Sequence, residues 1–125
     1  MDEDRAHGDR LDAVETILLR AAIEGEMITY RDLAERLELE PPHTIHQTTE
    51  LLEALMRRHA ASGAPQLACL VISRVRGGLP APGFFMTLKE LGLYQGPPEG
   101  EAARAFHEEE KRRCFALGRM ARSIH

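Results

Sequence analysis

Tryptophan is absent, aromatic residues make up only 5% of the chain, and the two cysteines, Cys69 and Cys114, lie far apart in the sequence. Two distant cysteines do not match the close, repeated spacings of a disulfide framework or a cysteine zinc site, so redox chemistry is not expected. No apolar run approaches the roughly 18 residues of a membrane span. The acidic start Met1-Asp2-Glu3-Asp4 is the reverse of a signal peptide's basic opening. A cytoplasmic location without membrane contact is the expectation. A cationic excess is lacking too: 16 Lys and Arg stand against 20 Asp and Glu, for a net charge of -4. That balance argues against a protein that coats nucleic acid indiscriminately.

Motifs that carry chemistry are equally scarce. No Gly-x-Ser-x-Gly, His-Glu-x-x-His or nuclease-like carboxylate cluster occurs, so an enzyme is not expected. Gly77-Gly78 lacks the following Lys-Ser or Lys-Thr of a nucleotide-binding loop and reads as a turn. His43 and His46 are three apart on one helix, but zinc needs a third ligand and usually a fourth. Neither a cofactor nor a metal is expected.

What is present is the composition of one globular domain, with 43% hydrophobic and 29% charged residues over 125 positions. The acidity is concentrated at the start: residues 1–26 carry three Arg against eight Asp and Glu. Residues 27–92 carry seven of each sign.

Residues 1–9 show no periodicity and are expected to form a flexible acidic tail. Leu11, Val14, Ile17, Leu18, Ala21 and Ala22 then recur at helical spacing up to a stop at Gly25. Thr29 can cap a second helix, with Asp32 reaching back, that packs Leu33, Ala34 and Leu37. After Pro41-Pro42 a third helix is predicted from about His43 to Ala61. Its inner face is Ile45, Thr49, Leu52, Leu55, Met56 and His59. The apolar run from Leu67 to Arg74 predicts a buried strand. The Gly- and Pro-rich stretch from Arg76 to Gly83 predicts a wing, with Phe84-Phe85-Met86 returning as a partner strand or loop anchor. The domain is bounded at residues 10–93 and followed by a linker over 94–100. A last helix over 101–121 uses Ala103, Phe106, Cys114 and Leu117 to pack on the domain or on a second copy. The expected class is therefore α+β: a winged helix, with a three-helix helix-turn-helix core, a small antiparallel sheet and wing, and an added C-terminal helix.

The stretch Ile28-Thr29-Tyr30-Arg31-Asp32-Leu33-Ala34, followed by the run from Cys69 through Arg74 to Gly83-Phe84, resembles the C-terminal DNA-binding domain of alkylguanine DNA alkyltransferases and their alkyltransferase-like relatives. The likeness covers roughly residues 27–85. Here Ala68-Cys69-Leu70-Val71 stands where that family has Pro-Cys-His-Arg, so the histidine that activates the thiol is missing and alkyl transfer is not implied. Cys69 reads as a small buried residue. The Gly78-to-Phe84 loop is also similar to a Gly-Leu-Pro-x-x-Gly-Phe loop in small bacterial proteins, some of which accompany restriction or nuclease proteins.

The resemblance implies non-catalytic binding of double-stranded DNA. The third helix would enter the major groove with His43, Thr44, His46 and Gln47 over bases. Tyr30, Arg31, Arg57, Arg58, Arg74 and Arg76 would complete the contact, the arginines on phosphates. The alternative is a protein-interaction adaptor of the same fold that does not bind DNA and docks a partner, or a second copy as a homodimer, through its terminal helices. Charge placement separates the two. Arginines converging on one face favour DNA, whereas neutralisation by Glu35, Glu38, Glu50 and Glu53 favours the adaptor. A residual alkyl-base sensor would need a pocket beside Cys69 that holds an extruded base.

Overall fold

A computed structural model describes residues 2–124. Helices dominate: α1 spans Asp2–Glu24, α2 Tyr30–Arg36, α3 Thr44–Ser62, α4 Pro82–Glu90 and α5 Glu101–Ile124. Two short strands, β1 at Ile28–Thr29 and β2 at Val71–Ile72, complete the regular structure of the described residues.

The sheet departs from expectation. β1 and β2 run parallel, with Ile28 opposite Val71 and Thr29 opposite Ile72, instead of forming an antiparallel ladder. Among the described residues, antiparallel pairing is limited to a single bridge between Ser73 and Leu79 that closes the glycine-rich loop. The buried strand predicted over Leu67–Arg74 is mostly something else. Leu67–Leu70 form a 3₁₀ turn, two residues form β2, and Arg74–Arg76 form a second 3₁₀ turn. An apolar run reports burial, which a buried turn and a buried strand satisfy equally.

Phe84-Phe85-Met86 is not a return strand either. Pro82 opens α4, where its missing N–H goes unneeded, and Phe84, Phe85, Thr87 and Leu88 are buried. The scarce aromatics are strung together here. Phe84 packs edge-on to Phe85 at 5.2 Å, Phe85 meets Tyr94 at 5.6 Å, and Tyr94 meets Phe106 of α5 at 5.0 Å.

The expected tail is also different, because α1 is already helical from Asp2. Met1 lies outside the described residues. On α3 the inner face is Thr48, Leu51, Leu52, Leu55, Met56 and His59, while Ile45 stands 47% exposed in the first turn. Ile45 keeps the phase of the apolar stripe, but the core ends before reaching it. The third helix is bounded as sequence chemistry dictates at its far end, where Gly63 adopts φ 70 as the C-cap. Its near end is unusual: His43 is the N-cap at φ 63, in the left-handed region, with no side-chain cap bond.

One hydrophobic core joins the elements. It runs from Leu11, Val14 and Leu18 of α1 through Leu33, Leu55, Met56, Leu70 and Leu88 to Ala103 and Cys114 of α5. α5 therefore packs on the domain, lying along α1 and over the 3₁₀ turn 67–70. Its buried stripe is Ala103, His107, Glu110, Cys114 and Gly118, with Phe106 and Leu117 only partly covered.

Candidate binding groove

Two short elements set the groove. Thr29 ends β1 and caps α2, its hydroxyl accepting from the Asp32 N–H at 3.1 Å, so Tyr30 and Arg31 open the helix beside the end of the sheet. On the other strand, Ile72 and Ser73 lead directly into Arg74 and Val75. Between them lies a groove of about 560 Å³ whose lining includes Thr29, Tyr30, Arg31, Ile72, Ser73, Arg74 and Val75, with Ile45 from α3. A second depression of about 460 Å³ shares Arg31 and Ile45 and continues past Glu35, Glu38 and Thr44.

Four of the ten residues predicted to contact DNA therefore line these two adjoining depressions: Tyr30, Arg31 and Arg74 the first, and Arg31 and Thr44 the second. Tyr30 also has a structural task. Its hydroxyl oxygen accepts the N–H of Ala81 at 2.8 Å and so ties α2 to the start of α4. Burial raises the phenol above its ordinary pKa, against the opposing pull of that N–H and of Arg76. Arg31 is exposed and only loosely paired, 3.9 Å from Glu35. Arg74 is exposed and makes no ion pair among the described residues.

The other six are committed elsewhere or stand apart. Arg58 reaches α1, bonding Asp12 at 2.9 Å and Glu15 at 3.3 Å. Arg57 pairs with Glu90 of α4 at 2.6 Å. Arg76 donates to the carbonyl of Pro80 at 2.9 Å and to that of Pro98, which pins the loop to the linker. His46 faces Glu50 at 2.7 Å. Gln47 donates to the carbonyls of Glu40 at 2.9 Å and Pro42 at 3.0 Å, bracing the turn before α3. His43, exposed, holds the strained N-cap. An αL residue that is not glycine costs about 1–2 kcal/mol and persists where its surroundings hold it, as the Gln47 brace does here.

Sequence reasoning missed the two exposed apolar members of the groove, Ile45 and Val75. Val75 is 96% exposed at the tip of the loop and faces the same depression as Ile45. A valine between two arginines and just ahead of Gly77-Gly78 was the available signal.

Cys69 offers no base pocket. It is fully buried with its sulfur against Cys114. A narrow space lined by residues that include Tyr30, Met56, neighbouring Ala68 and Phe84 measures only about 10 Å³. That is about the room one water needs. Among the described residues no three His, Cys, Asp or Glu side chains gather as metal ligands, and no helix is long and apolar enough to cross a membrane. Comparison with family models, with curated proteins and with solved structures finds no match for this chain.

Proposed function

We propose that the chain is a binding module without chemistry of its own, which docks a short segment of a partner protein in the groove between α2, the first turn of α3 and the residues after β2. The fold under this reading is a winged-helix variant. α1, α2 and α3 form its three-helix core, and the loop closed by the Ser73–Leu79 bridge forms its wing.

The observation that carries the reading is where the arginines are spent. Arg57 and Arg58 pair with Glu90, Asp12 and Glu15, and Arg76 holds backbone carbonyls. Of the arginines predicted to meet phosphates, the groove retains Arg31 and Arg74, with Asp32 beside them and Glu35 and Glu38 in the adjoining depression. Duplex binders with strong salt dependence draw on about 6–10 phosphate contacts, because each adds its own counterion release. Two arginines among carboxylates fit a smaller ligand. Exposed Ile45 and Val75 supply an apolar anchor point, and Arg31 and Arg74 suit carboxylates beside that anchor. The ligand chemistry is thus an apolar side chain flanked by Asp or Glu.

Double-stranded DNA is the second reading. It is favoured by the position of Arg31 and Arg74 on one groove at the start of the helix predicted to read bases.

Selection of displayed random peptides against the full chain, followed by calorimetry on the enriched sequences, tests the proposal. Enriched peptides should carry one large apolar residue next to an acidic one. Val75→Asp and Arg74→Ala should each weaken binding about tenfold, or 1.4 kcal/mol, with unchanged thermal stability. Suppose no peptide binds, but a ~25-base-pair duplex does, with affinity that falls with salt and in an Arg31→Ala/Arg74→Ala variant. The second reading then replaces the first.

A further inference from the structure

Cys69 and Cys114 meet in the core although 45 positions separate them. Cys69 belongs to the 3₁₀ turn 67–70 and Cys114 to the middle of α5, and both are fully buried free thiols. Their sulfurs are 3.6 Å apart, and the Cys114 thiol also donates to the Gln66 carbonyl at 3.4 Å. Polar bonds from α5 fix the register around this contact. The Gln66 N–H donates to the buried Glu110 carboxylate at 2.7 Å, and His107 Nε2 donates to the Cys69 carbonyl at 2.8 Å. A carbonyl can only accept, so the imidazole carries its proton on Nε2.

A disulfide bond is about 2.05 Å long, so the sulfurs need to approach by roughly 1.5 Å. We propose that Cys69 and Cys114 are a modification site, joined into an intramolecular disulfide by oxidants of the peroxide class. The bond would cross-link α5 to the turn that leads into β2 and the groove. One thiol, as thiolate, attacks a peroxide oxygen. The O–O bond breaks, the sulfur becomes a sulfenic acid, and the first water leaves. The second thiolate then attacks that sulfur and displaces hydroxide, which takes up the remaining proton as the second water. Two thiols thereby lose two electrons and two protons to one hydrogen peroxide.

Burial pushes the Cys69 thiol well above its ordinary pKa, and neither sulfur is exposed. The closed protein therefore reacts only through openings that lift α5, which makes cross-linking slow and dependent on the opening equilibrium. The same burial shields the finished bond from reductants.

The test uses the full chain, reduced and then exposed to hydrogen peroxide, denatured, alkylated with N-ethylmaleimide and weighed intact. The expected product has lost two hydrogens, carries no maleimide and runs as a monomer on a non-reducing gel. Because the chain has two cysteines, an internal cross-link has one identity. The oxidised form should melt roughly 5–15 °C above the reduced form, as closing a long loop requires. Cys69→Ser and Cys114→Ser should each retain one alkylatable thiol. Two maleimides per chain after peroxide, added oxygens without a cross-link, or disulfide dimers would overturn the proposal. The wild-type mass decides this even if a variant fails to fold.

Discussion

Gly118 of α5 lies directly against the backbone carbonyl of Ala22 in α1, so closely that a Cβ at position 118 would collide with Ala22 and with the N–H of Ile23. Glycine inside a helix ordinarily costs about 1 kcal/mol relative to alanine. Here the sign reverses, because the added methyl would meet backbone, which cannot swing aside. Gly118→Ala should destabilise the protein by about 2–3 kcal/mol, read as a lower urea midpoint with unchanged slope.

The bond from the Ala81 N–H to the Tyr30 hydroxyl leads to a second expectation. Tyr30→Phe keeps the ring and removes the acceptor, leaving a partly buried N–H without its partner. A loss of about 1–2 kcal/mol in chemical denaturation is expected. Hydrogen exchange at Ala81 should accelerate in the variant, and unchanged exchange there would mean that the bond contributes nothing.

His107 predicts a pH dependence. Burial lowers its imidazole pKa, partly offset by the bond to the Cys69 carbonyl, with Lys111 also disfavouring the charge. The unfolded chain, with an imidazole near the ordinary value of about 6.5, takes up its proton first. The neutral imidazole's contribution is therefore complete above about pH 6.5 and is lost as pH falls toward the folded-state value. His107→Gln should flatten that part of the profile. Urea midpoints at about pH 7.5 and pH 5.5 for both proteins measure the difference.

His43 should respond in the opposite direction to most substitutions. His43→Gly relieves a left-handed backbone held at φ 63. Part of the gain is lost to the greater freedom of the unfolded glycine chain. A net gain on the order of 0.5 kcal/mol is expected, visible as a small rise in melting temperature. A loss would show that the imidazole contributes contacts that outweigh the strain.

Local signals in the sequence carried α2, α3, α5 and most of α1 well, and α4 and the sheet poorly. The α1 stripe and the Thr29 cap each depend on residues within one or two turns, and the structure has both. Strand direction depends on partners dozens of residues away, so the parallel pairing of Ile28 with Val71 left no local trace. The same holds for charge. Nothing near Arg58 in sequence announces Asp12 and Glu15, yet those carboxylates remove it from the predicted interface. The groove was legible in part, since Tyr30, Arg31, Thr44 and Arg74 were named and converge. Ile45 was placed inside because its phase is right, although the core ends a turn short of it.

The parallel pair of β1 and β2 has only two residues in each strand, and the two helices α2 and α3 lie between them along the chain. The pair joins segments far apart in sequence, so a long loop must close before it forms, and undoing it uncovers Ile28 and Val71 of the core. The groove is thus assembled among the later contacts of the fold. A partner that fills the groove would oppose every opening that breaks it, the local opening of residues 71–79 and global unfolding alike, by its own binding free energy.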